Sequence, residues 1–241
     1  MEVNLILDVL RLIIGSLILG YASYTDIKTR RADNILWLIM GVSGLIILII
    51  QWLVTGFENY LYLIFVPLMI GFIYLLFQMR LIFGGADAKA LMALAILAPL
   101  FPKIYGFPIF QQSQETIMPF PWIIFTNSVI MFLFVPLSLL IYNILHRNIE
   151  FPFIFLGYKT SIKKAKEKFV WPLERIVDGK RKFSYMPKKF DVEDDFKIFE
   201  EKGIKNIWVT PKVPFMIPLL AGYVCSFILG DILTHIMYSI M

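Results

Sequence analysis

Two carboxylates stand at the edges of apolar runs, each in surroundings that chemistry can use. Asp87 follows two glycines in Arg80-Leu-Ile-Phe-Gly-Gly-Ala-Asp-Ala-Lys-Ala-Leu-Met-Ala-Leu-Ala95, where one apolar stretch ends and an Ala-rich one begins. The A-K-A-L-M-A-L-A run is rich in strong helix formers, so Asp87 is expected at or beside a helix N-terminus. The helix dipole favours a carboxylate there, and an ionisable group at membrane depth is a functional candidate. Gly84 and Gly85 offer backbone angles closed to other residues and room for a second segment. Asp26 closes another apolar run and is followed by Ile-Lys-Thr-Arg-Arg. Two carboxylates at one place can divide the work of hydrolysis, one holding a proton while the other activates water. A glycine turn with a helix-capping Asp accounts for Asp87 more simply if it stands alone. The arrangement of the spans decides between the two.

Hydrophobic residues make up 59 % of the 241-residue chain and the mean hydropathy is +0.73. That is far above an ordinary soluble domain and predicts an all-α polytopic membrane protein. The single Cys rules out a disulfide framework and any Cys-rich zinc site. The first apolar run is long and opens with Glu2 and Asp8 rather than a basic segment, so it is expected to be a retained helix, not a cleaved signal.

Six spans are expected: 5–25, 35–54, 60–79, Asp87–Phe101, 121–145 and 214–238. The fourth is brief, with Pro102 as its stop, and Pro136 is a kink in the fifth. Asp8 and Arg11 share a face of the first span and can pair or snorkel, and the Ser16/Gly20 spacing permits close helix approach. T-G-F-E-N (55–59) reads as a short external turn and 103–120 as an external loop. The organisation is a membrane domain over 1–145, a soluble α/β-type insert over 146–212, and a last span over 213–241. The insert holds 16 Lys/Arg and 10 Asp/Glu between Arg147 and Lys212, a charge that favours anionic headgroups. In it I-W-V-T (207–210) reads as a strand, and F-P-F-I-F-L-G (151–157) either lies in the interface or packs as a small core. Lys28, Arg30 and Arg31 mark the first turn as cytoplasmic. Both termini are then outside, and Asp26 and Asp87 fall on the cytoplasmic face at similar depth. Two carboxylates meeting there favour the paired-aspartate chemistry.

Other polar groups have structural explanations. Lys89, two residues from Asp87, does not share its helix face and either supports the site or snorkels. Asp33 reads as an N-cap for the second span, and Asp231 with His235 as a structural pair near the external end. Asn127 reads as interhelical glue and Cys225 as a small buried apolar residue.

G-G-A-D-A-K-A-L at 84–91 resembles the G-x-G-D motif of type IV prepilin peptidases, which are GxGD-type membrane aspartyl proteases. D-I-K-T-R-R at 26–31 resembles the run that ends their first helix. The six-span layout with an insert before the last span is closer to the archaeal preflagellin (prearchaellin) peptidases. The resemblance implies cleavage of precursor archaellins or pilin-like proteins at a type III signal peptide, on the cytoplasmic side of the cell membrane. It implies Asp26 and Asp87 as the catalytic pair, with Gly84, Gly85, Ala86, Lys89, Lys28 and Arg30 as motif and supporting residues. No metal or cofactor is implied, and the partners are the precursor protein and membrane lipids, not nucleic acid. Three departures stand out. Ala86 occupies a glycine position, which requires a negative φ. Ala32-Asp33-Asn34 stands where bacterial members have I-P-N. The Cys-rich loop linked to N-methylation is missing, which implies a peptidase without that second activity. A presenilin-like protease would need a P-A-L motif in a later span, and a proton- or cation-coupled transporter would usually show internal repeats; neither is found.

Overall fold

The computed structural model describes residues 2–57, 60–82, 84–110, 118–177, 179–184 and 193–240. Two expected features fall partly outside them: the 55–59 turn at Glu58 and Asn59, and the 103–120 loop at 111–117. The chain forms two compact units, residues 1–132 with 214–241, and residues 133–213.

The first unit contains α1 (Glu2–Thr29), α2 (Asn34–Thr55), α3 (Phe65–Gln78, entered through a 3-10 turn at Tyr60–Ile64), α4 (Gly85–Leu97) and α5 (Phe120–Phe132). It closes with α10 (Met216–Ile228) and α11 (Ile232–Ile240). α4 is its packing centre, touching α1, α2, α3 and α5. Its alanines let neighbours approach closely, and Ala88, Ala90, Leu91, Ala93, Leu94, Ala95 and Leu97 are all buried. The closest approach is to α2, where a Cβ added to Gly44 would stand 2.6 Å from Leu97 Cα. On α1 the close contact is at Gly15, which faces the Tyr223 ring. The expected Gly20 position has nothing within 4 Å.

Among the described residues, four helical runs are long and apolar enough to cross a membrane: Glu2–Thr29, Asn34–Thr55, Leu61–Gln78 and Phe120–Leu145. The pair α10/α11 makes a fifth if its 68° bend belongs to one span. A proline and a glycine explain the differences from the expected spans, and a second proline makes the expected kink in the fifth. α4 stops at Leu97, not Phe101, because Pro99 bars Ala98 from helical angles; Ala98 has φ −126 and ψ 67. The last span, expected unbroken, turns at Gly230, whose φ is +92. There Asp231 caps α11, accepting from Thr234 N at 3.0 Å and Thr234 Oγ1 at 2.6 Å. The fifth run breaks at Leu133 because Pro136 offers no N–H to Phe132 O and its ring crowds that carbonyl.

Several polar groups buried among the helices are joined. Arg11 Nη1 meets Asp8 Oδ1 at 2.7 Å and Arg11 Nη2 meets Gln51 Oε1 at 2.7 Å. Tyr223 donates its hydroxyl to Arg11 O at 2.7 Å. Asn127 Nδ2 donates to Ser226 Oγ at 2.9 Å and Gly230 O at 2.8 Å, the interhelical role expected of it.

The second unit carries α6 (Phe134–Leu145), α7 (Phe153–Leu156), β1 (Tyr158–Ser161), α8 (Ile162–Lys166), β2 (Val170–Pro172), β3 (Glu174–Val177), β4 (Lys180–Phe183), α9 (Glu193–Glu201) and β5 (Asn206–Pro211). β5, which contains the I-W-V-T run, is the centre of an antiparallel sheet ordered β1-β5-β2, and β3 and β4 form a separate hairpin. Ile207 and Val209 point from β5 into a small core with Ile162, Ala165, Val170, Phe196 and Phe199. Mostly helical spans with a small sheet-containing region is the resulting fold class.

Candidate active site

Asp26 sits in the last turn of α1. The helix ends on a left-handed residue, Arg30 at φ 57, whose N–H donates to Asp26 O at 3.0 Å. This is the single-bond form of the left-handed helix cap, with arginine in the position glycine usually takes. It fixes the backbone under Asp26 and brings the Arg30 charge within electrostatic range of the carboxylate. Lys28 leans outward, its Nζ 5.8 Å from the centre of the Tyr24 ring.

Asp87 is the third residue of α4, with Gly84 as the N-cap at φ −89 and ψ 115. Ala88 N donates to Gly84 O at 3.1 Å, closing the first turn. Neither Gly84 nor Gly85 has a positive φ. Space, not backbone freedom, is what Gly84 contributes. A Cβ there would overlap Asp87 Oδ2, so the carboxylate is folded back over the N-cap. Gly85 has no such demand; its nearest neighbours are Phe77 ring atoms at 3.8 Å. Ala86 lies inside α4, in the negative-φ conformation its side chain requires, and packs on the core.

α1 contacts α4, and Asp26 lies in the last turn of the one and Asp87 in the first turn of the other. Both are partly buried. Two carboxylates are thus held at the adjoining ends of two packed helices, each on a turn whose backbone is fixed. Such a pair can divide proton holding and water activation between its members.

Lys89 does not turn to Asp87. Its Nζ donates to Asn34 Oδ1 at 2.8 Å, tying the start of α4 to the start of α2. Asn34 was not foreseen as part of the site. The available signal was that Asn34 opens the second span on the same face as Lys89. Asp33 occupies the N-cap position of α2, but its side chain makes no capping bond.

The chain is also similar to known proteins along most of its length. Over residues 13–142 the chain matches the family model described as type IV leader peptidase family, and over 149–232 the one described as archaeal peptidase A24 C-terminus type II. A preflagellin peptidase of Methanococcus voltae is 29 % identical over 230 residues, 90 % of this chain and 94 % of that protein. One from Methanococcus maripaludis is 28 % identical over 232 residues, 91 % of this chain and 94 % of its own length. A third, from Methanocaldococcus jannaschii, is 25 % identical over 234 residues, 95 % of this chain and 97 % of that protein. With the first family model covering more than half of its length, the chain belongs to the type IV leader peptidase family.

Proposed function

We propose that this chain is a membrane aspartyl endopeptidase that removes the type III signal peptide from precursor archaellins or pilin-like proteins. Asp26 and Asp87 carry the reaction. One carboxylate accepts a proton from water as its oxygen attacks the scissile carbonyl carbon, and the protonated partner hydrogen-bonds the developing oxyanion. Collapse of the tetrahedral species breaks the C–N bond, the leaving nitrogen taking a proton from the pair. Neither residue is consumed.

The observation that carries this reading is the placement of both carboxylates at the ends of two helices in contact, with Asp87 folded into the space that Gly84 leaves open. The printed names of the three methanogen relatives support the substrate class.

In the same reading the α4 segment and the α10/α11 pair each cross the membrane, giving six spans. The active site faces the cytoplasm and both termini lie outside. α3 and α6 end, like α1, on a left-handed arginine: Arg80 at φ 58 and Arg147 at φ 56. Positive charge at three helix C-termini complements their dipoles and matches the cytoplasmic bias of basic residues.

Co-expression with a panel of archaellin and pilin-like precursors tests the substrate class. The expected result is loss of the N-terminal leader mass from at least one precursor. Intact leaders throughout, with the chain present in membranes, would contradict the proposal.

A further inference from the structure

The exit of α6 bears a feature that cleavage does not use. Asn143 is fully buried in the last turn of α6, and its Nδ2 donates to both Ile154 O at 2.9 Å and Gly157 O at 2.6 Å. The apolar run 151–157 is therefore clamped to the helix end, at the level where a membrane helix leaves the hydrocarbon. Part of that run is core: Ile154 is buried, and Phe153 stacks on Trp208 with ring centres 5.2 Å apart. The rest turns outward. Phe151 is 84 % exposed, Ile149 70 % and Leu145 75 %.

Phe151 lines a groove of about 420 Å³ together with Glu150, Glu174, Lys159, Arg181, Lys182 and Phe183. Every residue of β4, Lys180 to Phe183, is exposed. The two carboxylates of the groove are engaged internally. Glu150 accepts from Lys159 at 3.1 Å and from Trp208 Nε1 at 3.0 Å, and Glu174 pairs with Arg181. With Lys182 the groove holds three cations to these two acids, two of them in the pairs just named, and Lys180 opens the same exposed strand. Exposed aromatics beside clustered Lys and Arg, held at a helix exit, are the chemistry of an interfacial anchor on anionic lipid.

We propose that the face made by Ile149, Phe151 and β4 seats the second unit on the bilayer that α6 leaves. Ile149 and Phe151 enter the boundary between headgroups and acyl chains, and Lys159, Arg181 and Lys182 meet anionic phospholipid phosphates. The seat rests on the 120–145 run crossing the membrane and is independent of which residues cleave the precursor.

The test uses the full chain carrying Cys225→Ser, with single cysteines at Phe151, Ile149 or Lys202 bearing a nitroxide label. Each is placed in lipid nanodiscs of phosphatidylcholine alone or mixed with phosphatidylglycerol. Labels at 149 and 151 should collide with oxygen more than with a water-soluble nickel chelate in the mixed discs, whereas the label at 202 does the reverse. Arg181→Glu with Lys182→Glu, or discs without phosphatidylglycerol, should return position 151 to water by severalfold in chelate accessibility. Equal chelate access at 151 and 202 in mixed discs would overturn the proposal. Protection that ignores lipid charge would overturn the assignment to anionic headgroups. Dipolar broadening between labels on two copies would assign the face to a second copy instead.

Discussion

The backbone N–H of Lys103 donates to Oδ2 of Asp8 at 2.7 Å. It ties the far end of the α4 segment to the far end of α1, opposite the ends that carry Asp87 and Asp26. At about 1.5 Å per residue, α1 rises about 27 Å from Asp8 to Asp26. The 13 helical residues of α4 cover about 20 Å, and the non-helical chain from Ala98 to Lys103 makes up the difference. The α4 segment thereby runs on past its helix to meet the start of α1.

Asp8→Ala should be costly. It leaves the buried Arg11 guanidinium without its carboxylate and Lys103 N–H without an acceptor, a loss of about 3–5 kcal/mol by the usual behaviour of broken buried pairs. Replacing both partners, Asp8→Leu with Arg11→Met, should recover most of it. Unfolding of the purified protein in mixed micelles measures both. A double variant no more stable than Asp8→Ala would mean that the pair itself, not the uncompensated charge, stabilises the fold.

Gly84→Ala should reduce processing at least a hundredfold, since the added carbon displaces the Asp87 carboxylate and misplacement by about 1 Å can cost that much. Gly85→Ala, with Phe77 at 3.8 Å, should stay within a few-fold of the parent. Initial rates on one precursor decide it; equal effects of the two changes would contradict the steric account.

Much of this was legible in the sequence. Asp26 and Asp87 announced themselves as carboxylates at the ends of apolar runs, and the family followed from the letters around them. The I-W-V-T strand and the interhelical role of Asn127 were readable from pattern and residue type. Other features depend on partners far away in the chain. Nothing near Gly84 says that it makes room for a side chain three residues on, and the small-residue face of α1 gave no sign that Gly15, not Gly20, meets Tyr223. The stop of α4 was readable at Pro99, though Pro102 drew the boundary. The bend at Gly230 reflects a glycine followed by a capping Asp inside an apolar run, a signal that composition averages away.

Asn34→Ala should lower turnover a few-fold with KM unchanged. Its partner Lys89 then holds the start of α4 less firmly, at a cost near that of one exposed hydrogen bond, about 1 kcal/mol. Asn34→Asp keeps an acceptor for the Lys89 ammonium and should retain the parent rate. An inactive Lys89→Ala beside a fully active Asn34→Ala would mean that Lys89 acts on the substrate rather than through Asn34.

Acid should loosen the second unit through Glu150. The hydrogen bond from Lys159, helped by that from Trp208, holds its carboxyl below the ordinary glutamate range despite some desolvation. A depressed folded-state value means the stabilisation is present above the unfolded-state pKa, about 4.3, and is lost as pH falls through the folded one. Protection of the β5 amides, taken relative to the intrinsic exchange rate at each pH, should therefore fall on acidification, with Glu150→Gln flattening the dependence. An identical acid response in the variant would remove Glu150 as the cause.

The paired-aspartate site is tested most directly by precursor processing in membranes containing Asp26→Asn or Asp87→Asn, with the amount of each variant matched to the parent. Each substitution keeps the side-chain shape and removes one ionisable carboxyl. Both variants should accumulate in the membrane, and neither should release the leader. Full-rate processing by either one would contradict it.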